Sequence, residues 1–220
     1  MKLGRVLAKR LIYNRGRILA KAMAKLGRNR TIPVYEGDYF RLSSLGLAGD
    51  EVHSKGLIGN VAELGVFKGD FAKWINQAFP DRKLYLFDTF EGFDERDARL
   101  DRQKGYSLAD EKFNTSVESV MKKMKYPDNC IVRKGWFPES ADGVSDKFVF
   151  VSIDVDLYQA ILSGLEFFYP LLVEGGYIFV HDNNNKGYKG VKPAVREYCA
   201  KANIGYFPLT DGSGSAVIAK

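Results

Sequence analysis

From about Leu57 onward the chain alternates short β-branched or aromatic runs with stretches of helical periodicity, and this alternation restricts the fold more than any other feature. The apolar runs are Leu57 to Leu64, Lys83 to Phe87, Cys130 to Arg133, Phe148 to Ile153 and Tyr177 to Val180. Helical patterns fall between or after them at Phe71 to Phe79, Leu108 to Met124, Tyr158 to Leu172 and Val191 to Ala202. Strands joined through helices run parallel with right-handed crossovers, and runs apolar on both faces are strands covered on both sides. The tail breaks the rhythm. Tyr206 to Leu209 and Ser215 to Ala219 flank Asp211-Gly212-Ser213-Gly214, the pattern of an antiparallel hairpin. The expectation is an α/β, doubly wound, mostly parallel sheet closed by a C-terminal hairpin.

Of the 33 Lys and Arg, ten lie in residues 1–30, where no Asp or Glu occurs; the rest of the chain holds 23 against 27 acids and is mildly acidic. Leu3, Val6, Leu7 and Leu11, then Ile18, Leu19, Ala22, Met23 and Leu26, repeat at helical spacing. Residues 1–30 therefore read as two basic amphipathic helices, and residues 31–220 as the α/β domain. Two readings stand for the helices: peripheral contact with an anionic inner-membrane surface, or packing on the body or on a second subunit of a homo-oligomer. No apolar run approaches the roughly 18 residues needed to cross a bilayer, so a cytoplasmic protein is expected. Cys130 and Cys199 fall in a strand and a helix, which argues for two inert thiols and against a disulfide framework or a cysteine metal site. The polar stretch from Thr89 to Tyr106 is long for a strand-to-helix connection and reads either as a loop closing over a ligand or as a surface insertion.

Chemistry concentrates where strands stop. Asp154 and Asp156 follow one apolar run, and His181-Asp182-Asn183-Asn184-Asn185 follows another. Neighbouring strands that end in carboxylate and amide oxygens make a hard-cation site, with solvated strand-end acids as the plainer alternative. The first strand ends in Glu63-Leu64-Gly65-Val66-Phe67-Lys68-Gly69, a glycine turn entering a helix, where a ligand can approach the backbone. It is not the G-x-G-x-x-G fingerprint, which weighs against a nicotinamide oxidoreductase. Asp88 closes the second strand, where related folds place an acid on ribose hydroxyls; the alternative is a turn cap. Lys134-Gly135-Trp136-Phe137 follows the third strand, where Trp136 either rims an adenine ring or packs in the core. Taken in order, these features indicate an adenosine-bearing ligand.

Together with Phe87-Asp88-Thr89-Phe90-Glu91-Gly92-Phe93, Ile153-Asp154-Val155-Asp156-Leu157-Tyr158, Tyr169-Pro170, Gly175-Gly176-Tyr177 and Ala194-Val195, the same segments resemble the macrocin O-methyltransferase family across roughly residues 57 to 200. The resemblance implies a seven-stranded, Rossmann-like class I methyltransferase fold. It also implies S-adenosyl-L-methionine and a divalent metal, normally Mg2+, with a hydroxyl acceptor, often on a sugar or glycan. By position, Glu63, Gly65 and Gly69 would shape the methionine and ribose region, Asp88 would hold the ribose, and Gly135 and Trp136 would border adenine. Asp154 matches the first metal aspartate and Asp156 the general base. The family's aspartate pair is replaced here by His181-Asp182-Asn183. Alignment on the preceding glycines selects His181 and Asp182, whereas the Asp-Asn order selects Asp182 and Asn183; hard magnesium's preference for oxygen favours the latter, leaving His181 beside the metal or facing substrate. A non-catalytic adenosylmethionine-binding scaffold is the competing class. No aromatic-basic interleaving supports a nucleic-acid partner.

Overall fold

The computed structural model describes residues 38–110 and 115–220, so the two basic N-terminal patterns lie outside the described residues. Seven strands form one sheet in the order β3-β2-β1-β4-β5-β7-β6. They are β1 (Asn60–Leu64), β2 (Leu84–Asp88), β3 (Cys130–Lys134), β4 (Phe148–Ile153), β5 (Leu172–Val180), β6 (Phe207–Pro208) and β7 (Ala216–Ala219). The first five pair in parallel, and β7 pairs antiparallel with both β5 and β6, giving the expected closing hairpin.

The helices are α1 (Tyr39–Ser54), α2 (Ala72–Ala78), α3 (Glu95–Lys104), α4 (Val117–Met121), α5 (Tyr158–Leu171) and α6 (Val191–Ala202). Alternation along the strands divides the core in two. Leu64, Val151, Ile153, Ile178 and Val180 face Ile161, Leu165 and Phe168 of α5 and Val195 of α6. Val61, Leu84, Leu86, Phe150 and Phe179 face Leu42, Leu45 and Val52 of α1 and Ile75 of α2. Among the described residues no helix is long and apolar enough to cross a membrane. Both cysteines are free, and burial raises both thiols, Cys130 to about 11, as inert thiols require.

Two helices depart from the sequence reading. The stretch Thr89 to Tyr106 is not a long loop, because it folds into α3. Asp94 caps that helix by accepting from the Arg96 N–H at 2.9 Å, Ala98 is buried, and Gly105 ends it in the left-handed conformation. Helix α1 was not anticipated; Asp38 caps it, accepting from the N–H groups of Phe40 and Arg41. The helical pattern from Leu108 to Met124 is represented by the short α4, and residues 111–114 lie outside the described residues.

Strand order reverses direction between β1 and β4, the switch point at which open parallel sheets hold ligands beyond the carboxyl ends of their strands.

Candidate active site

A cavity of about 310 Å³ opens at that switch point. Of the residues singled out by sequence, Glu63, Gly65, Asp88, Gly135, Trp136, Asp154, Asp156 and Asp182 line it, as does His181; Gly69 and Asn183 do not.

The turn after β1 is shaped by close backbone approach. Gly65 has φ +87°, and a Cβ there would stand 2.0 Å from the carbonyl oxygen of Asp154. The Asp154 N–H donates to the Leu64 carbonyl at 2.7 Å, so the ends of β1 and β4 converge as only glycine permits. Gly69, at φ +74°, has Val120 of α4 against it, where an added Cβ would come within 2.9 Å. Its place is a packing contact rather than the cavity wall.

Asp88 closes β2 and ties the turn down. Its Oδ2 accepts from the N–H groups of Val66 and Phe67 at 2.7 and 2.8 Å, and its Oδ1 accepts from that of Phe90 at 2.6 Å. A carboxylate has about four acceptor positions, so about one remains for a further donor.

Strand parity delivers the acidic cluster. Glu63, Ser152, Asp154 and His181 continue the α1-facing rows begun by Val61, Phe150 and Phe179. Asp154, His181 and Asp182 present ligand atoms that all lie within 4.8 Å of one another. His181 Nδ1 stands 3.0 Å from Asp154 Oδ1 and 3.1 Å from Asp182 Oδ2. Burial opposes charge on His181, but these two carboxylates outweigh it and push the imidazole up to about 9. Burial likewise opposes ionisation of Asp154, which Arg41 and His181 nonetheless hold below the usual carboxylate range. Burial opposes ionisation of Asp182 too, yet His181 holds it low, and its carboxylate also accepts hydrogen bonds from Asp156 and Asn185. Burial drives Glu63, 1% exposed, well above the ordinary range against the pull of Arg41. Asp156 lies past the end of β4 at φ +62°, in the left-handed region. Asn183 is buried, and neither polar atom of its side chain has a hydrogen-bond partner.

Three contributors escaped the sequence reading. Arg41 of α1 donates to Asp154 Oδ2 at 3.0 Å. Asp97 of α3 accepts from Trp136 Nε1 at 2.8 Å, and the Arg96 guanidinium lies 3.7 Å from the centre of the same indole, so Trp136 is held on one edge and one face.

The sheet order, the switch-point cavity and the strand-end acids define a class I methyltransferase fold. The solved O-methyltransferase NovP has this fold, with a TM-score of 0.69 at 23% identity, covering 83% of this chain and 80% of that one. The calicheamicin methyltransferase CalS11 superposes with a TM-score of 0.65 at 18% identity, covering 81% and 78%. The family model for macrocin-O-methyltransferase (TylF) matches residues 37–217, and the chain belongs to this family. It is an S-adenosylmethionine-dependent O-methyltransferase. The chain is 25% identical over 190 residues to 8-demethyl-8-(2,3-dimethoxy-alpha-L-rhamnosyl)-tetracenomycin-C 4'-O-methyltransferase of Streptomyces olivaceus, covering 80% of this chain and 71% of that protein. It is 26% identical over 157 residues to mycinamicin III 3''-O-methyltransferase of Micromonospora griseorubida, covering 64% and 62%.

Proposed function

We propose that the protein methylates a hydroxyl of a sugar or sugar-bearing small molecule in the cytoplasm, with a divalent cation, Mg2+ by preference, bound at Asp154 and Asp182. The observation that carries this reading is the convergence of Asp154, Asp182 and His181 within 4.8 Å at one wall of the cavity, with Asp156 on the same wall. Two carboxylate oxygens and an imidazole nitrogen at that spacing suit a cation that keeps part of its water. Because Asn183 is outside the cavity lining, His181 is the better third donor. A sugar acceptor is supported by the rhamnosyl relative and by aromatic walls: Phe93 and Tyr188, from the connections after β2 and β5, meet edge to face at 6.3 Å between ring centres.

The cavity also fits the nucleoside cofactor. The Gly65 turn gives backbone access, Asp88 retains an acceptor position for a ribose hydroxyl, and Gly135 and Trp136 offer a flat apolar wall for adenine. When bound, adenosylmethionine supplies an electrophilic methyl group and the cation supplies positive charge that lowers the pKa of the acceptor hydroxyl. The remaining work falls to the chain. Asp154 and Asp182 fix the cation, the aromatic walls orient the sugar, and Asp156 receives the hydroxyl proton as the oxygen becomes a nucleophile.

Labelled adenosylmethionine offered with nucleotide sugars, lipid-linked sugars and glycosides, with Mg2+ or with chelator, tests the reading. Transfer to a sugar hydroxyl that stops in chelator and returns with Mg2+ is expected. Undiminished transfer in excess chelator would overturn the metal assignment, and transfer to non-sugar acceptors alone would overturn the sugar assignment.

A further inference from the structure

Arg41 sits in the first turn of α1, far from every motif at the strand ends, yet it is 7% exposed and reaches the centre of the site. Its Nη1 donates to Asp154 Oδ2 at 3.0 Å and its Nη2 to the hydroxyl of fully buried Ser152 at 3.1 Å. The guanidinium carbon stands 3.8 Å from the centre of the Phe71 ring. Burying an ion pair of this kind gains little or no stability over apolar packing. Leu42, Leu45 and Val52 already anchor α1, so packing alone does not call for an arginine.

We infer that Arg41 is a positioning residue for Asp154. The fork holds two groups two residues apart, Ser152 on β4 and Asp154 just past its end, fixing Oδ2 while Oδ1 stays turned toward His181 at 3.0 Å. A lysine ammonium, a point donor on a flexible stem, cannot reproduce that planar grip. The role in cation uptake rests on the metal reading proposed above; the orientation of the carboxylate does not.

The test uses the full chain, with Arg41→Lys and Arg41→Met. Mn2+ titration followed by electron paramagnetic resonance is expected to show affinity falling at least about tenfold in both variants. Methylguanidine should restore affinity to Arg41→Ala. The chain has two histidines, His53 and His181, so imidazole NMR of the metal-free protein gives a second readout. The His181 signals should move in both variants while those of His53 stay, which also shows that the variants are folded. Wild-type Mn2+ affinity in Arg41→Lys overturns the proposal. If the wild-type chain takes up no Mn2+, the metal reading fails, and the imidazole comparison alone decides: unmoved His181 signals then overturn the role of Arg41, and moved ones support it.

Discussion

Asp101 of α3 accepts a hydrogen bond from the backbone N–H of Tyr158, the first residue of α5, at 2.9 Å. Helix α5 has no side-chain cap of its own at Leu157, so an aspartate 57 positions earlier in the chain performs that service. Asp156 lies immediately before this junction, which means that α3 helps to set where the proposed base stands.

Replacing Asp101 by Ala removes this cap from a fully buried position. Stability should fall by about 1–2 kcal/mol, read as a lower urea midpoint, with turnover reduced as well because the Asp156-Leu157 turn loses its tether. Unchanged stability would mean that the bond adds nothing beyond what water offers.

At Gly65 any side chain would collide with the Asp154 carbonyl and strain a positive φ. Gly65→Ala is expected to lower stability by at least about 2 kcal/mol and to abolish cofactor binding in whatever fraction folds. Thermal melting and calorimetry with adenosylhomocysteine measure the two effects separately.

Asp88→Ala should weaken adenosylhomocysteine binding by about 1–3 kcal/mol, since it frees three backbone N–H groups of the turn as well as the acceptor position left for ribose. Asp88→Asn, which keeps one acceptor oxygen, should fall between. Calorimetry on both variants orders them, and equal affinity across all three proteins would remove Asp88 from the cofactor site.

Burial raises Asp97 from 3.8 to about 6, against the Trp136 hydrogen bond that favours its ionised form. A carboxyl raised on folding contributes stability that is fully present below its unfolded pKa and lost as pH rises through the folded one. Between about pH 4 and pH 6 the wild-type protein should therefore lose on the order of 2–3 kcal/mol from this group. Asp97→Asn still accepts from the indole and does not ionise. Urea unfolding across that window should show a flatter profile for the variant and greater stability than wild type above pH 6. Parallel profiles would place the titration elsewhere.

The third cation donor is decided by comparing His181→Gln with Asn183→Ala in Mn2+ binding. A loss of tenfold or more is expected for the first and a change within about twofold for the second. The reverse pattern would restore the Asp182 and Asn183 pair.

The parallel strands were legible because β-branched and aromatic runs buried on both faces leave few other structures open, and the range from Val191 to Ala202 matches α6 end to end. Strand-end acids were legible for the same reason, since position in the fold follows from where an apolar run stops. Helix α3 was hidden by its own composition. Seven of the ten residues from Glu95 to Lys104 are charged, and two of the helix's inward residues, Asp97 and Asp101, are acids rather than apolar side chains. Yet Asp94 and Gly105 stood at its ends as cap signals. Helix α1 carried Leu42, Leu45 and Val52 behind the cap at Asp38, but it also buries Arg41 and Ser43, which blurs the periodicity. Arg41 meets a carboxylate 113 positions away and Asp97 an indole 39 away. No local pattern encodes such meetings, because they arise only when the layers pack.

The shared facing of Glu63, Ser152, Asp154 and His181 toward α1 sets a lower bound on the smallest piece of this chain that can work. A fragment begun at the first strand would keep every strand-end acid and still expose Val61, Phe150 and Phe179 to water while stripping the arginine from the site. Helix α1 is also fastened at its head, where Asp38 Oδ2 receives the N–H of Gly212 in the turn between β6 and β7. The catalytic unit therefore reaches back at least to Asp38 rather than starting at the sheet, and attempts to trim, transplant or recombine it with a sister enzyme must carry the helix and the hairpin as one inseparable pair.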